Sequence, residues 1–418
     1  MPEVIERVQK INPFVSNLSA LNSIFSLSMT VFSFAIIIYL EGANLPVYLA
    51  GIGLTAGQGL LIGISLFQGR AIDKGHSFAL MIAGSFLYGI SMTLLFLEVS
   101  RNLLIIALIP VLIATIIISE GFFRASLNSF IAKASAANIL GKNYARILTG
   151  ETIGSSISYL VLILGALSYD ISYVFLGSGL LLICMSFLAF FVLYSKEKES
   201  MKNDVAQVRN LGFFEGLRSL NERRKFVFPL ISSKAMMTIG VIGFSLFYVP
   251  SGLILGIPIE YTFGILLLTY LIASILGRYS EKFIDRKSSL GRRFITLTML
   301  LDVVTYGLVL LSIFLKNEYL FLGAALFSSP GIITITGAMS YEVSVIGKEN
   351  RGIFGGVQRQ IVGIVAALVS LPLTLFYSLG FEYLWETVWV SSIISLLITF
   401  SIPKFVAVNT SEPRAQTN

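Results

Sequence analysis

The stretch "GRAIDKGHS" at Gly69–Ser77 separates two long uncharged segments and shows how the whole chain is organised. It holds three charged residues and the only histidine of the protein, whereas residues 46–68 before it and residues 78–97 after it carry no charge. Each flanking segment has about the 20 apolar residues that an α-helix needs to cross the hydrocarbon core of a bilayer. The stretch therefore predicts a polar turn between two membrane-spanning helices.

The composition supports a membrane protein. The chain has 418 residues, of which 55% are hydrophobic and 13% charged, and soluble domains carry roughly 25% charged residues. The net charge of +7 does not indicate a nucleic-acid partner, because the basic residues lie between apolar segments. Near the N-terminus, Glu3 and Glu6 and the lack of a small-residue cleavage site argue against a signal peptide. We therefore expect the first apolar segment to be a retained membrane helix.

The sequence offers no catalytic machinery. The single cysteine, Cys184, cannot form an intramolecular disulfide or a metal cluster alone. No phosphate-binding loop, metal-ligand cluster or nucleophile–base set is visible. We expect neither a cofactor nor a metal, and we do not expect an enzyme.

Long apolar segments broken by turn residues or charges predict twelve membrane spans in an all-α protein. The spans are placed near residues 14–40, 46–68, 77–97, 103–125, 146–168, 171–194, 226–250, 259–277, 293–315, 319–341, 352–377 and 383–403. One set of loops and termini carries 25 of the 30 Lys and Arg residues, and the alternate loops carry only Arg101 and Lys316. This bias predicts that both termini are cytoplasmic in a multi-pass protein of the cell membrane.

A long polar stretch divides the spans into six and six. It lies at residues 195–225, so we expect an N-terminal bundle at 1–194, a cytoplasmic linker, and a C-terminal bundle at 226–418. The end of the linker fits either an amphipathic surface helix or a solvated segment. The pair Gly277-Arg278 repeats Gly69-Arg70 at a distance of 208 residues, and "GKNYAR" at Gly141 is echoed by "GKENR" at Gly347 after 206. Two echoes at nearly one offset indicate a parallel internal repeat.

The Gly69–Ser77 motif, placed between the second and third of twelve spans and partly copied between spans eight and nine, resembles the signature loop of the major facilitator superfamily. The resemblance covers about Phe14 to Pro403. It implies two pseudo-symmetric six-helix bundles, a functional monomer, and secondary active transport of a small solute by alternating access, with protons as a candidate second partner. The alternative function is a membrane receptor or sensor that has kept this fold. His76-Ser77 and Glu281 depart from the usual residues of the two motif copies.

The resemblance also implies a cytoplasmic gate, in which Asp73 contacts the start of the eleventh span near Gly352. The alternative is a topology signal and a tight turn. The candidate gating residues are Gly69, Arg70, Asp73, Lys74, Gly277, Arg278 and Glu281. Glycines four residues apart, at Gly53 and Gly57 in span two, would allow that span to approach span eleven closely, although they also suit packing elsewhere.

Charged residues inside membrane spans are costly and default to functional hypotheses. Glu120 and Arg124 are four residues apart in span four, so they share a helix face, and Lys234 lies in span seven. The resemblance implies that spans one, four, seven and ten line the central cavity. Glu120 is the proton-coupling candidate, the alternative being a static ion pair. Arg124 and Lys234 together would favour an anionic substrate.

A stripe of hydroxyl residues follows one face of span one and adds to the candidate cavity residues. Its members are Ser19, Ser23, Ser26, Thr30 and Ser33, at alternating steps of four and three. The stripe fits contact with water and substrate, or packing of small residues against another helix. In span ten, Pro330 predicts a kink.

Overall fold

The computed structural model describes residues 13–73, 75–101, 106–134, 140–168, 170–202, 218, 220–221, 223–280, 291–346 and 351–403. Within these ranges the regular structure is α-helical. The helices are α1 Pro13–Gly42, α2 Tyr48–Asp73, α3 Ser77–Arg101, α4 Leu108–Ala134, α5 Leu140–Ser168, α6 Ile171–Lys202, α7 Arg224–Ile254, α8 Ile259–Ser280, α9 Gly291–Leu315, α10 Glu318–Leu326, α11 Gly331–Ile346, α12 Arg351–Leu379 and α13 Phe381–Thr399.

These helices confirm the predicted twelve spans. Twelve segments are long and apolar enough to cross a membrane, and the tenth of them, Glu318–Met339, includes both α10 and most of α11. Helices α1–α6 form the first half of the protein and α7–α13 the second half. Most of the predicted amphipathic segment of the linker lies outside the described residues, but Leu220 at its end is buried in a cluster with Phe226.

The tenth span is interrupted rather than kinked. Helix α10 ends at Leu326, and turns follow before α11 begins at Gly331. The amide of Ser329 donates to the Leu326 carbonyl at 3.1 Å, which is a turn rather than a helical bond. Pro330 has no N–H to continue the helical ladder, so the break falls where the sequence places a proline.

The turn at Gly69–Ser77 is shaped by one glycine. The Gly75 amide donates to Ile72 O at 3.1 Å and the His76 amide donates to Ala71 O at 2.9 Å. These two hydrogen bonds define a Schellman motif. Gly75 has a φ of 89°, in the left-handed region where a side chain would be strained. The motif ends α2 and starts α3 four residues after Asp73.

Helices α1 and α5 lie in close backbone contact. A methyl group on Gly154 would collide with the Ser23 carbonyl, so glycine is required at this approach. The Asn22 amide donates to Ile147 O at 3.1 Å and the Ser158 hydroxyl donates to Leu27 O at 2.7 Å. These bonds join the two helices into one unit of the first half.

The two ends of the bundle are distinguished by helix direction. At one end of the bundle, α1 and α5 begin and α8 ends, and we call this end the terminal face. We call the other end the opposite face. The Ser19 hydroxyl donates to Arg146 O at 3.0 Å, which places the starts of α1 and α5 together. Gly277, near the end of α8, packs against Thr149 of α5, so the two halves share this face.

Contacts between the halves towards the opposite face involve α1, α2, α7 and α12. The Phe34 and Phe244 rings meet edge-on with centroids 6.3 Å apart. The Thr55 hydroxyl donates to Ala367 O at 3.0 Å. Glu41, near the end of α1, accepts a hydrogen bond from Tyr377 of α12.

A second contact between the halves joins α5 and α8 through hydroxyl groups. Ser274 Oγ lies 2.9 Å from Thr152 Oγ1 across the interface. Each hydroxyl also has a carbonyl within reach in its own helix, Thr149 O for Thr152 at 2.9 Å and Tyr270 O for Ser274 at 2.8 Å. The Ser274 and Thr152 hydroxyls therefore each have one possible partner across the interface and one within their own helix.

The glycine pair predicted to bring spans two and eleven together packs elsewhere. A methyl group on Gly53 would lie 2.6 Å from Ile113 of α4, and one on Gly57 would lie 2.8 Å from Ile117. These glycines therefore serve packing inside the first half. Helix α2 does contact α12, but through other positions, including Gly363, whose added methyl would lie 3.1 Å from Ile62.

Candidate functional site

Three charged side chains meet in the interior of the first half. Arg124 of α4 donates through Nε to Glu120 Oε1 at 2.8 Å, one turn away on the same helix. Its Nη2 reaches Glu151 Oε1 of α5 at 3.1 Å and Met29 Sδ of α1 at 2.8 Å. We call Glu120, Arg124 and Glu151 the Arg124 group. One guanidinium thus connects three helices.

The Arg124 group is accessible and electrically unbalanced. The side chains of Arg124, Glu120 and Glu151 are 37%, 27% and 20% exposed. Two carboxylates and one guanidinium leave one excess negative charge when all three groups are ionised. Because an uncompensated charge at membrane depth is costly, this excess favours the uptake of a positive charge from outside the group.

A second ion pair lies in the second half. Lys234 Nζ of α7 lies 2.5 Å from Glu342 Oε2 of α11. The Glu342 side chain is only 7% exposed, and its other oxygen is buried with no hydrogen-bond partner among the described residues. The pair is balanced in charge and connects two helices of the same half.

Aromatic rings lie between the Arg124 group and the opposite face. Phe34 follows Met29 by five residues on α1, a rise of roughly 7.5 Å along the helix axis. Its ring contacts Tyr159 of α5 at 5.3 Å between centroids, and Tyr159 contacts Tyr270 of α8 at 5.2 Å. The charged site is therefore bounded by rings from both halves.

Sequence reasoning identified part of this arrangement. The expected pairing of Glu120 with Arg124 follows from their four-residue spacing, whereas the sequence places Glu151 early in span five and only the contact between α4 and α5 shows that it pairs with Arg124. Glu342 was missed because it falls one residue beyond the tenth span as predicted from the sequence. The expectation of an anionic substrate stays a prediction, and both Arg124 and Lys234 have carboxylate partners in this structure.

The hydroxyl stripe of α1 faces α5 at three of its five positions. The Thr30 hydroxyl pairs with Ser155 of α5 at 2.8 Å, while Ser19 bonds to Arg146 O and Ser23 packs on Gly154. Ser26 is buried and Ser33 is half-buried. The geometry favours helix packing for Ser19, Ser23 and Thr30 over contact with a substrate.

Ser19 and Ser23 also line a cavity of about 750 Å³ towards the terminal face. The cavity lies between α1, α5 and α8. Its lining consists of Ser16, Ser19, Ala20, Ser23, Arg146, Thr149, Gly150, Ile153, Ile275, Arg278 and Tyr279. The candidate gating residue Arg278 is exposed there.

The candidate gating residues Gly69 and Gly277 lie at the same face. Gly69 is exposed with no neighbour within 4 Å of an added methyl group, and Gly277 is buried against Thr149 and Ile332. Lys74, Glu281 and the side chains of Arg70 and Asp73 lie outside the described residues. The expected contact of Asp73 with the start of α12 therefore stays a prediction.

No group of three or more His, Cys, Asp or Glu side chains that could hold a metal ion is found in the described part of the chain. The described interior therefore contains two ion-paired groups, one with an excess negative charge and one balanced, together with Arg359 of α12 and the buried carboxyl of Asp302 in α9.

Comparison with known proteins agrees with this architecture. The sequence matches the Major Facilitator Superfamily over residues 18–371. The fold is similar to that of the MFS proton:xylose symporter XylE bound to 6-bromo-6-deoxy-D-glucose, with a TM-score of 0.66, 15% identity, and coverage of 94% of this chain and 95% of that one. A comparison with curated proteins gave no match. Twelve membrane-spanning helices and a family match over most of their length show that the chain belongs to the major facilitator superfamily.

Proposed function

We propose that the protein is a secondary active transporter that moves a small solute across the cell membrane by alternating access, coupled to protons at the Arg124 group. Membership of the major facilitator superfamily and the likeness in fold to a proton:xylose symporter support transport. The observation that carries the coupling is the sharing of one guanidinium by Glu120 and Glu151.

The excess charge supplies the physical reason for coupling. Moving a site with a net charge through a low-dielectric region costs free energy, and a proton on one carboxyl removes that net charge. Both carboxyl groups lie within 3.1 Å of Arg124 and both are accessible. Glu120 therefore stays a proton-coupling candidate, and Glu151 joins it on equal geometric grounds.

The rest of the proposal concerns the moving parts. Residues 1–194 and 226–418 act as two rocking bundles joined by the linker at 195–225. The terminal face is assigned to the cytoplasm, because the set of loops and termini that the sequence predicts on that side carries 25 of the 30 Lys and Arg residues, and positive loops are retained in the cytoplasm. The protein functions as a monomer, and its transported partner is a small molecule rather than a nucleic acid.

The test is a flux measurement on purified protein in proteoliposomes with an imposed proton gradient. A thermal-shift screen of sugars, amino acids, amines and organic acids first identifies a ligand. We expect gradient-driven uptake of that ligand, and a loss of at least tenfold in the gradient-driven rate for Glu120→Gln or Glu151→Gln. Glu318→Gln, an exposed glutamate in the first turn of α10, is the matched control and should transport normally.

Two results would contradict the proposal. Binding without flux under any gradient would indicate a receptor or sensor on this fold. Undiminished proton-driven uptake in both the Glu120 and Glu151 variants would separate the Arg124 group from coupling.

A further inference from the structure

We propose that the interior site takes a zwitterionic solute, with its ammonium group at the Arg124 group and its carboxylate at Arg359 of α12. The inference rests on the proposed transport function, and it names the substrate class of that site. It starts from Arg359, a cation in the described interior that belongs to neither ion-paired group.

Arg359 lies in a candidate membrane span and has no carboxylate partner among the described residues. It belongs to the candidate span Phe354–Leu379 and is only partly exposed. Within the described part of the chain it makes no hydrogen bond or ion pair, whereas Arg124 and Lys234 each have a carboxylate partner. An uncompensated guanidinium at this depth is costly and marks a place for an anionic group.

The register of α12 places Arg359 on the side that faces the centre of the protein. Arg359, Ala366, Ser370 and Tyr377 follow one another at steps of seven, four and seven, so they share one helix face. The last three are buried. Tyr377 on this face packs on Phe247 of α7 at 4.9 Å between centroids and bonds to α1. The face therefore points between the two halves.

The depth of Arg359 matches that of the other interior charges. It lies eight residues into α12, while Lys234 lies ten residues into α7 and Glu151 eleven residues into α5, which corresponds to roughly 12 to 17 Å from the helix starts. The neighbouring Gln360 contacts Ser65 of α2 at 3.4 Å. Ser65 precedes Asp73 by eight residues, so Arg359 lies about two helical turns deeper than the gate motif.

Apart from the buried carboxyl of Asp302 in α9, each half thus has one interior charged group without a full counter-charge among its described residues. The first half has the excess negative charge of the Arg124 group, and the second half has the positive charge of Arg359. A ligand with an ammonium at one end and a carboxylate at the other would neutralise both at once. Arginine suits the carboxylate end, because its planar fork can hold both carboxylate oxygens.

A singly charged ligand would neutralise either the Arg124 group or Arg359, but not both. An alkylammonium ion would leave Arg359 unpaired, and a carboxylate would leave the excess charge of the Arg124 group. This difference gives the inference a measurable consequence, since buried charges without partners reduce affinity strongly.

The experiment measures equilibrium binding to the full-length protein in nanodiscs by titration calorimetry. The probes are glycine, β-alanine, 4-aminobutyrate and 6-aminohexanoate, which carry both charges at increasing separation, with butylammonium and butyrate as singly charged comparisons. We expect at least one zwitterion to bind at least tenfold more tightly than both comparisons. Failure of all four zwitterions to do so would overturn the inference.

Variants then assign the carboxylate end to Arg359. Arg359→Gln should weaken binding of the preferred zwitterion at least tenfold and leave butylammonium binding unchanged, whereas Arg359→Lys should retain most of the affinity. Gln358→Ala, on another face of α12, is the control. Undiminished zwitterion binding in Arg359→Gln would exclude the assignment, and the unfolding temperature of each variant checks that it is folded.

The binding measurement separates this inference from the transport proposal. It needs no gradient, so a zwitterion that binds through Arg359 but is not transported would contradict the transport function alone. Proton-driven transport of a solute that binds independently of Arg359 would contradict the substrate class alone.

Discussion

The two halves of the protein share a fold but hold their interior charges differently. In the first half, two carboxylates share one guanidinium and all three side chains are between 20% and 37% exposed. In the second half, Lys234 and Glu342 form a balanced pair, and Glu342 is 7% exposed. The comparison teaches that the internal repeat preserves helix positions and not chemistry. In the first half, the proposed function assigns the excess charge to a proton or a ligand, whereas in the second half the Lys234–Glu342 pair joins α7 to α11 and the proposed ligand contact is Arg359.

The largest expected effect on stability comes from breaking the pair in the second half. Lys234→Met leaves the Glu342 carboxylate buried without a partner, and removal of one member of a buried pair costs about 3 kcal/mol or more. The free energy of unfolding, measured by denaturant titration in mild detergent, should fall by about that amount.

The double variant Lys234→Met/Glu342→Leu tests whether this pair is structural. An apolar replacement of both members should restore most of the stability, and transport should persist. Loss of transport in a stable double variant would show that the Lys234–Glu342 pair also takes part in transport, and would remove the difference between the two ion-paired groups.

Arg124→Gln is expected to reduce stability less than Lys234→Met does, and to abolish transport. It leaves Glu120 and Glu151 without a counter-charge, but both are partly accessible to water, so we expect a loss of about 2 kcal/mol, less than for a fully buried pair. Uptake into proteoliposomes should be abolished.

The double variant Arg124→Gln/Glu151→Gln is the matched control for this loss. It removes one negative charge and should recover stability without recovering uptake. A single Arg124→Gln variant that transports at the parent rate would contradict the role given to the first half.

The smallest effect is expected at the contact between the halves. Ser274→Ala removes one hydroxyl of the α5–α8 interface and leaves the Thr152 hydroxyl with its own carbonyl partner, so the cost should be about 0.5 kcal/mol or less. The midpoint of thermal unfolding should change by no more than a few degrees. A loss comparable to that of Lys234→Met would show that the interface is held more firmly than the halves themselves.

The sequence predicts the fold well because membrane helices are encoded locally. Twelve apolar segments, the six-and-six division and the tight turn at Gly75 all follow from neighbouring residues. For Pro330 the sequence predicts a kink, whereas the structure has a break between α10 and α11. A single sequence does not show whether the neighbouring helices stabilise a bent helix or a broken one.

The site was predicted only where its partners share a helix. Glu120 and Arg124 could be paired from their spacing, while Glu151 and Glu342 join their partners across helix contacts that no local spacing encodes. The hydroxyl stripe of α1 illustrates a second limit. A serine hydroxyl can bind water, a substrate or a neighbouring carbonyl equally well, so the sequence does not show which of these it contacts. For Ser23, the close approach to Gly154 of α5 shows that it packs against a helix.

The hydroxyl contact between α5 and α8 has a consequence for reversibility. A hydroxyl carries one proton, and Ser274 can give it either to Thr152 across the interface or to the Tyr270 carbonyl of its own helix. If α5 and α8 separate in the proposed transport cycle, the Ser274 and Thr152 hydroxyls can each donate to a carbonyl of their own helix, so neither donor is left unpaired. The proposed movement would therefore be reversible at this contact, because nearly the same number of hydrogen bonds is available in the joined and the separated positions.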